Sequence, residues 1–271
     1  MFSLLAKCQA FPPVIKTGWI FISLDDIRSE EISPAIILID PQLGNNIGSA
    51  ARAMLNCGLK ELRLVRPRDG WPNASAVKMA SGATEVLDNT KVFGNTLDAV
   101  SDLNLVLATT ARMRDLSKTV LTPKKAADWL TSHNAHGGRS GILFGPERSG
   151  LVNDDIVLAD AVINVPLNPK FSSLNLAQAV LLMGYEWFQN SKKSETVDQG
   201  TGRQMAAKVS EREYFYERLE SELDKSGFLY PDHLAPTIKK NLRSMFNRTG
   251  LTQQEVRTLH GILTALINLK N

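Results

Sequence analysis

"AIILIDPQLGNNIGSAARAMLNCG", residues 35–58, is the stretch on which the fold turns. Its opening "AIILID" (35–40) is a short apolar, β-branched run, the pattern of a strand buried on both faces. "NIGSAARAMLNCG" follows with small residues on one face and a stop at Gly58, the pattern of a helix. Between them, Gly44 and Gly48 permit a tight polar loop. A helix N-terminus at that loop offers free N–H groups and a positive dipole end to an anion. Asn46 adds side-chain donors, and Arg52 a guanidinium that could grip a phosphate or stabilise a developing alkoxide. The plainer reading is a Rossmann-like loop with a surface arginine.

The alternation continues outward from this unit. "ELRLV" (61–65), "LNLVLATT" (103–110), "SGILFG" (140–145) and "AVINVPL" (161–167) read as strands. Helical patterns lie at about 73–81, in "NTLDAVSD", around 123–132, in "LVNDDIVLA" and over 174–190. Strands alternating with helices over short connections predict an α/β fold, a mostly parallel sheet with helices on both faces. Ligands of such sheets sit beyond the carboxyl ends of the strands. Four polar clusters fall there: "DPQLGNN", "TTARMR", "GPERSG" and "NPKFSSLN". Their shared rim predicts one composite site. In "NPKFSSLN", one of Ser172 and Ser173 suffices to cap the next helix. The other, with Asn175, is left to bind a carboxylate, a ribose or a phosphate, although ordinary capping would also explain it.

Residues 191–209 are polar and aperiodic and read as a linker. Residues 210–271 look helical throughout, with Thr252 and Glu255 as a capping box. The expected organisation is an N-terminal extension (1–33), an α/β domain (34–190), the linker, and a small all-α C-terminal unit (210–271). That unit is small enough to need support from the α/β domain or a partner subunit.

Composition sets the outer limits. The 271 residues are 43% hydrophobic and 22% charged, an ordinary globular mixture. A net charge of +3 carries no argument for nucleic-acid binding, which must come from where the charges sit. Cys8 and Cys57 set up neither a disulfide framework nor a zinc site, and His133, His136, His233 and His260 show no ligand spacing, so no metal is expected. His133 and His136, near Gly137 and Gly138, read as a polar loop. No apolar run approaches a membrane span, so no membrane association is expected. Residues 1–24 carry lysines and no acid, which fits a transit peptide or a plain extension; the expected compartment is a reducing cytoplasm.

Dinucleotide binding competes for the glycine loop and fits it poorly. The spacing is not GxGxxG, and Arg66 and Arg68 stand where an acid should hold the ribose, although an arginine there would suit a 2′-phosphate. No GK[ST] follows a glycine loop. In "FGPERSGL", Gly145 lets backbone approach a ligand, while Glu147 either takes part in proton transfer or pairs with Arg52 or Arg148.

Taken in order, three patterns resemble the motifs of SPOUT-class RNA 2′-O-ribose methyltransferases. They are "N-x-G-x-x-x-R" (Asn46, Gly48, Arg52), "F-G-P-E" (144–147) and "P-x-x-S-S-L-N-L-A" (169–177), and the resemblance runs from about Pro34 to Phe188. "ATTARMR" (108–114) and the tail "LRSMFNRTGL…LHGIL" resemble the subgroup acting on nucleotide 32 of the tRNA anticodon loop, the TrmJ type. The resemblance implies a deep trefoil knot, a homodimer with its site completed across the interface, and S-adenosyl-L-methionine as methyl donor. By motif, the cofactor loops are Thr109, Thr110 and Ala111, then Gly145, the stretch Val165–Leu167, and Ser172, Ser173 and Leu174. The implied reaction centre is Asn46, Arg52, Glu147, Ser173 and Asn175. The implied substrate is a tRNA ribose, with another tRNA or rRNA position, or RNA binding without turnover, as alternatives.

A sulfonium already activates its methyl group, so no metal is needed. A guanidinium stays protonated, so Arg52 suits holding a phosphate and stabilising an oxyanion better than acting as a base. Three basic segments are candidates for RNA contact: Arg63, Arg66 and Arg68; Arg112, Arg114 and Lys118; Lys239, Lys240, Arg243 and Arg248. Tyr214, Phe215 and Tyr216 could stack bases, with a core role the plainer reading. Cys57, in "MLNCGL", reads as packing.

Overall fold

The computed structural model describes residues 32–110, 118–191 and 205–268. Expectations for residues 1–31, for Ala111, Arg112 and Arg114, and for 192–204 of the linker lie outside these residues.

A seven-stranded sheet forms the centre: β1 (Ala35–Ile39), β2 (Leu62–Val65), β3 (Lys91–Phe93), β4 (Leu105–Thr109), β5 (Thr119–Leu121), β6 (Ser140–Phe144) and β7 (Ala161–Ile163), in the order β3-β2-β1-β6-β4-β7-β5. Every neighbouring pair is parallel. All five residues of β1 and of β6 are buried. Alternate side chains go to opposite layers, as the two-residue period of a strand requires. Ile36, Leu38, Leu107, Ile142 and Phe144 join one core. Ala35, Ile37, Ile39, Val106 and Leu143 join the other.

The helices divide accordingly. The first core takes side chains from α1 (Gly44–Asn56), α2 (Ala74–Ala80), α5 (Pro123–Ala135) and α7 (Leu176–Ser191). The second takes Ala99 and Val100 of α4 (Thr96–Val100), Ile156 of α6 (Asn153–Val157) and Val209, the first residue of α8 (Val209–Lys225). The tail, α8 with α9 (Ala235–Asn247) and α10 (Gln253–Asn268), has a small core of its own around Phe215, Tyr216 and Val256. It is seated on the α/β domain. Arg212 and Asp160 form an ion pair in which both side chains are nearly fully buried. Asp160 also accepts from the Val106 N–H (2.8 Å), and Asn247 Nδ2 donates to the Val157 carbonyl (2.9 Å). The Thr252–Glu255 box is present: Glu255 accepts from the Thr252 N–H at 2.8 Å, and Thr252 Oγ1 from the Glu255 N–H at 3.2 Å.

Several sequence expectations are corrected. Gly44 and Gly48 do not make the loop: both lie in α1. A Cβ at Gly44 would overlap the Asn73 side chain that caps α2, and one at Gly48 would overlap the Ala76 carbonyl. Their smallness lets α2 close on α1. His133 is in the last turn of α5 and His136 caps it, so neither is in a loop. "AVINVPL" stops being strand at Ile163, because Asn164–Leu167 leaves the ladder. Three short elements, α3 (Thr84–Asp88), β3 and β5, are not among the strands and helices named from the sequence. Cys57 is buried, with its Sγ 3.1 Å from where a Cβ on Gly184 would stand, as the packing reading requires. Among the described residues, no helix is long and apolar enough to cross a membrane.

Gly48→Ala should lower unfolding stability by about 1–3 kcal/mol through overpacking. Gly261→Ala, on α10 with open space around its added Cβ, should raise it by up to about 1 kcal/mol from helix propensity. Urea titration of the two variants checks the opposite signs.

Candidate active site

The carboxyl ends of β4, β6 and β7 open onto one cleft of about 280 Å³. Three chain segments wall it. The first is Thr109 and Thr110, at the end of β4. The second is the loop Gly145–Leu151 after β6. The third is the course from Val165 through Leu167 to Ser172, Ser173 and Leu174. Phe144, Ile163 and Leu176 give it an apolar floor, while hydroxyls and the Glu147 carboxylate give it a polar rim. The glycine-flanked loop folds back closely: a Cβ on Gly145 would overlap the backbone of Gly150 and Leu151. Thr109 Oγ1 donates to the Leu143 carbonyl at 2.9 Å, tying the first wall to the second.

At one edge of the cleft, three side chains from distant parts of the chain join. Asn46 Nδ2 donates to Glu147 Oε1 (2.7 Å), and Asn175 Nδ2 donates to Asn46 Oδ1 (3.1 Å). Glu147 Oε2 accepts the backbone N–H of Gln42 (3.0 Å), and Asn175 Oδ1 accepts that of Ala177 (2.9 Å). The polarity of this chain is fixed at both ends. A carboxylate can only accept, so Asn46 must turn its NH₂ toward Glu147 and its oxygen toward Asn175. A backbone N–H can only donate, so Asn175 must turn its oxygen to Ala177, leaving its NH₂ for Asn46. Both amide orientations follow from the network. Glu147 is half-buried beside the start of α1, so the anion at that helix N-terminus comes from the chain itself. Its expected pairing with Arg52 or Arg148 does not occur among the described residues; amide donors take both oxygens.

Arg52 is the exception among the candidate reaction-centre residues. It is exposed and has no hydrogen-bond or ion-pair partner among the described residues; like Asn46 and Asn175 it does not line the cleft, but unlike them it does not join the network that reaches it through Glu147. A spacing of six residues along a helix places it well round the axis from Asn46. Thr109, Thr110, Gly145, Val165, Leu167, Ser172, Ser173 and Leu174 all line the cleft. Gln42, which contributes only its N–H, and Asn164, whose Nδ2 meets the Thr110 carbonyl at 3.1 Å, were missed. No residue-type signal marks a backbone donor or an amide just past a strand end.

The basic candidates separate. Arg66 is exposed and grips Asp40 through two hydrogen bonds of 2.9 Å; both residues have φ of 45°, a strained backbone at the carboxyl ends of β1 and β2. Arg68 pairs with Asp69 at 3.2 Å, and Lys240 with Asp154 at 2.6 Å. Lys239 is half-exposed and Arg248 exposed. Three others are corrections, because burial and internal acceptors claim them. Arg63 is core, bonded to Glu61, Asp102 and the Ala99 carbonyl. Lys118 is buried against the Val157 and Ala159 carbonyls, and burial pushes its amine down to about 8 despite Asp160. Arg243 is held by Glu213 and Glu220 under the Tyr216 ring. Phe215 and Tyr216 are likewise core, whereas Tyr214 is exposed. Among the described residues, no three His, Cys, Asp or Glu side chains gather as a metal site.

A family model described as the SpoU rRNA Methylase family matches residues 33–185. The chain belongs to this family. A second model, the tRNA methyltransferase TrmJ C-terminal domain, matches residues 210–271 of this SpoU-family protein. It is 34% identical over 237 residues to a Pseudomonas aeruginosa protein named tRNA (cytidine/uridine/adenosine-2'-O-)-methyltransferase TrmJ, covering 84% of this chain and 91% of that one. A Sodalis glossinidius protein named tRNA (cytidine/uridine-2'-O-)-methyltransferase TrmJ is also 34% identical, over 235 residues, 85% of this chain and 90% of its own. Among solved structures, the crystal structure of TrmJ from Z. mobilis ZM4 superposes with a TM-score of 0.75 at 49% identity, over 86% of this chain and 99% of that one.

Asn46→Asp should set a second carboxylate against Glu147. One of the two then binds a proton more readily in the folded state than in the unfolded chain. Its stabilising hydrogen bond is present below that raised pKa and lost above it. Melting temperatures at pH 5 and pH 7.5 should therefore show a larger deficit against the parent protein at pH 7.5; an equal deficit would remove Glu147 from the network.

Proposed function

We propose that this SpoU-family chain methylates a ribose 2′-hydroxyl of tRNA with S-adenosylmethionine as donor, at nucleotide 32 of the anticodon loop carrying cytidine or uridine. The observation that carries the reading is the cleft itself. Three separate chain segments wall it, and the Asn46–Glu147–Asn175 network holds one edge. The apolar floor suits a heterocycle. The Ser172 and Ser173 hydroxyls and the close backbone at Gly145 suit the polar remainder of a nucleoside–amino acid conjugate. S-adenosylmethionine, when bound, supplies an electrophilic sulfonium methyl. In the balanced reaction the ribose oxygen forms a bond to that methyl, the carbon–sulfur bond breaks with its electrons going to sulfur, and the hydroxyl proton is released.

The chain's own groups have distinct tasks. Asn46 and Asn175, locked in orientation, present a fixed edge against which the ribose is aligned, and alignment supplies most of the advantage of such a reaction. Glu147 orients Asn46, since donors occupy both of its oxygens, and the proton passes to water. Arg52 holds the phosphate beside the target and stabilises the emerging oxyanion. It stands off both the cleft and the Asn46–Glu147–Asn175 network of its own chain, so the functional unit in this reading is a homodimer, with Arg52 reaching the cleft of a second copy. Arg66, Arg68, Lys239 and Lys240 are the remaining phosphate contacts; Arg66, Arg68 and Lys240 exchange an acid partner for the RNA.

The relatives' names support the tRNA substrate, and the Pseudomonas name, which includes adenosine, makes the base the least constrained part. Incubating the protein with labelled donor and either total tRNA or rRNA, then mapping the product by mass spectrometry, should find methyl on nucleotide 32 of tRNA. Label only in rRNA would overturn the substrate, and donor binding without label would favour a member lacking turnover. Arg52→Lys should lower kcat by about a hundredfold, because an ammonium lacks the planar fork. Full turnover in that variant would remove the need for a guanidinium.

A further inference from the structure

We propose that Asn164 is a positioning residue that shapes the cofactor edge of the cleft by standing in for a backbone donor. The inference rests on the cofactor reading above. β4 and β7 pair in parallel through Thr109↔Ile163, and the Thr110 N–H continues the ladder to the Ile163 carbonyl at 2.9 Å. In a parallel ladder the next bond would run from the Val165 N–H to the Thr110 carbonyl. The Asn164 side chain occupies that place, its Nδ2 donating to the Thr110 carbonyl at 3.1 Å. Its own backbone N–H turns the other way, to the Leu121 carbonyl at 2.9 Å on β5.

Two consequences follow. Thr110 stays tied to the third wall of the cleft although the strands part after Ile163. The Val165 N–H, on a residue that lines the cleft, is left without a backbone acceptor among the described residues. Asn164 thus converts a strand end into an open backbone donor beside a fixed Thr109–Thr110 edge. That arrangement suits the hydrogen-bonding edge of a nucleobase, a planar group that reads backbone donors and acceptors. Asn164 does not line the cleft, so it acts on the ligand through Thr110 and Val165.

Asn164→Asp keeps the shape, removes the donor, and sets a carboxylate against the Thr110 carbonyl. The readouts are S-adenosylhomocysteine affinity by calorimetry and the KM and kcat for S-adenosylmethionine, with melting temperature measured on each variant. The Kd and KM should rise about tenfold, while kcat at saturating donor falls less than about threefold, the scale of one lost hydrogen bond felt in binding alone. Asn164→Ser, with a shorter donor, should lie between. A merely structural role would lower the melting temperature and kcat at unchanged KM, and that result overturns the proposal. Parental affinity in Asn164→Asp overturns it too. If Asn164→Asp does not fold, unchanged KM in Asn164→Ser does so. Failure of the parent protein to bind S-adenosylhomocysteine would instead overturn the cofactor reading and, with it, the ligand named here.

Discussion

Burial of both faces of the central strands constrains everything else. β1, β6 and β4 are covered above and below by helices, so their side chains are apolar on either side except at two strand ends, where Ser140 and Thr109 are hydrogen-bonded. A polar group there would have to be desolvated without compensation. Chemistry-bearing residues are therefore confined to the strand ends, and in a parallel sheet all carboxyl ends lie along one rim. The first turn of α1, which follows β1, and the loops after β6 and β7 carry Asn46, Glu147 and Asn175 to that rim, where they come within hydrogen-bonding distance although more than a hundred residues separate Asn46 from Glu147.

Hydrogen-bond polarity then orders the rim. A carboxylate that only accepts and a backbone N–H that only donates stand at the two ends of the Glu147–Asn46–Asn175 chain, so the two amides between them have one arrangement that satisfies all members. Asn164 applies the same logic one wall away, where a side-chain amide replaces a backbone donor. These directional bonds give the rim one satisfied arrangement, and the cores beneath set the spacing of its strands.

The tail closes the second face of the sheet as much as it forms a unit of its own. Val209 belongs to that core, and Asp160 serves both β4, through the Val106 N–H, and Arg212 on α8. The Val157 carbonyl accepts from Lys118 and from Asn247. A buried ion pair of this kind contributes modestly to net stability, because desolvation offsets attraction, but removing one partner strands the other charge. It fixes where the tail sits. Lysines and arginines that looked like surface candidates in the sequence, Lys118 and Arg243 among them, are consumed by such internal bonds.

What the sequence determined by itself was local and periodic. The run at 35–40 could only be a buried strand, "NIGSAARAMLNCG" a helix with a small-residue face, and Thr252 with Glu255 a helix start. The parallel rim with its four polar clusters followed from that alternation, and the three ordered motifs identified the family. Tertiary structure decided what depends on partners distant in the chain. It made Gly48 a helix-crossing residue, turned Glu147 toward Asn46 and not an arginine, drew Arg63 into the core and ended β7 at Ile163. The physical reason is common to all four. Periodicity records which way a side chain points along its own element, whereas burial, acceptor supply and backbone direction are properties of the neighbours that folding brings to it.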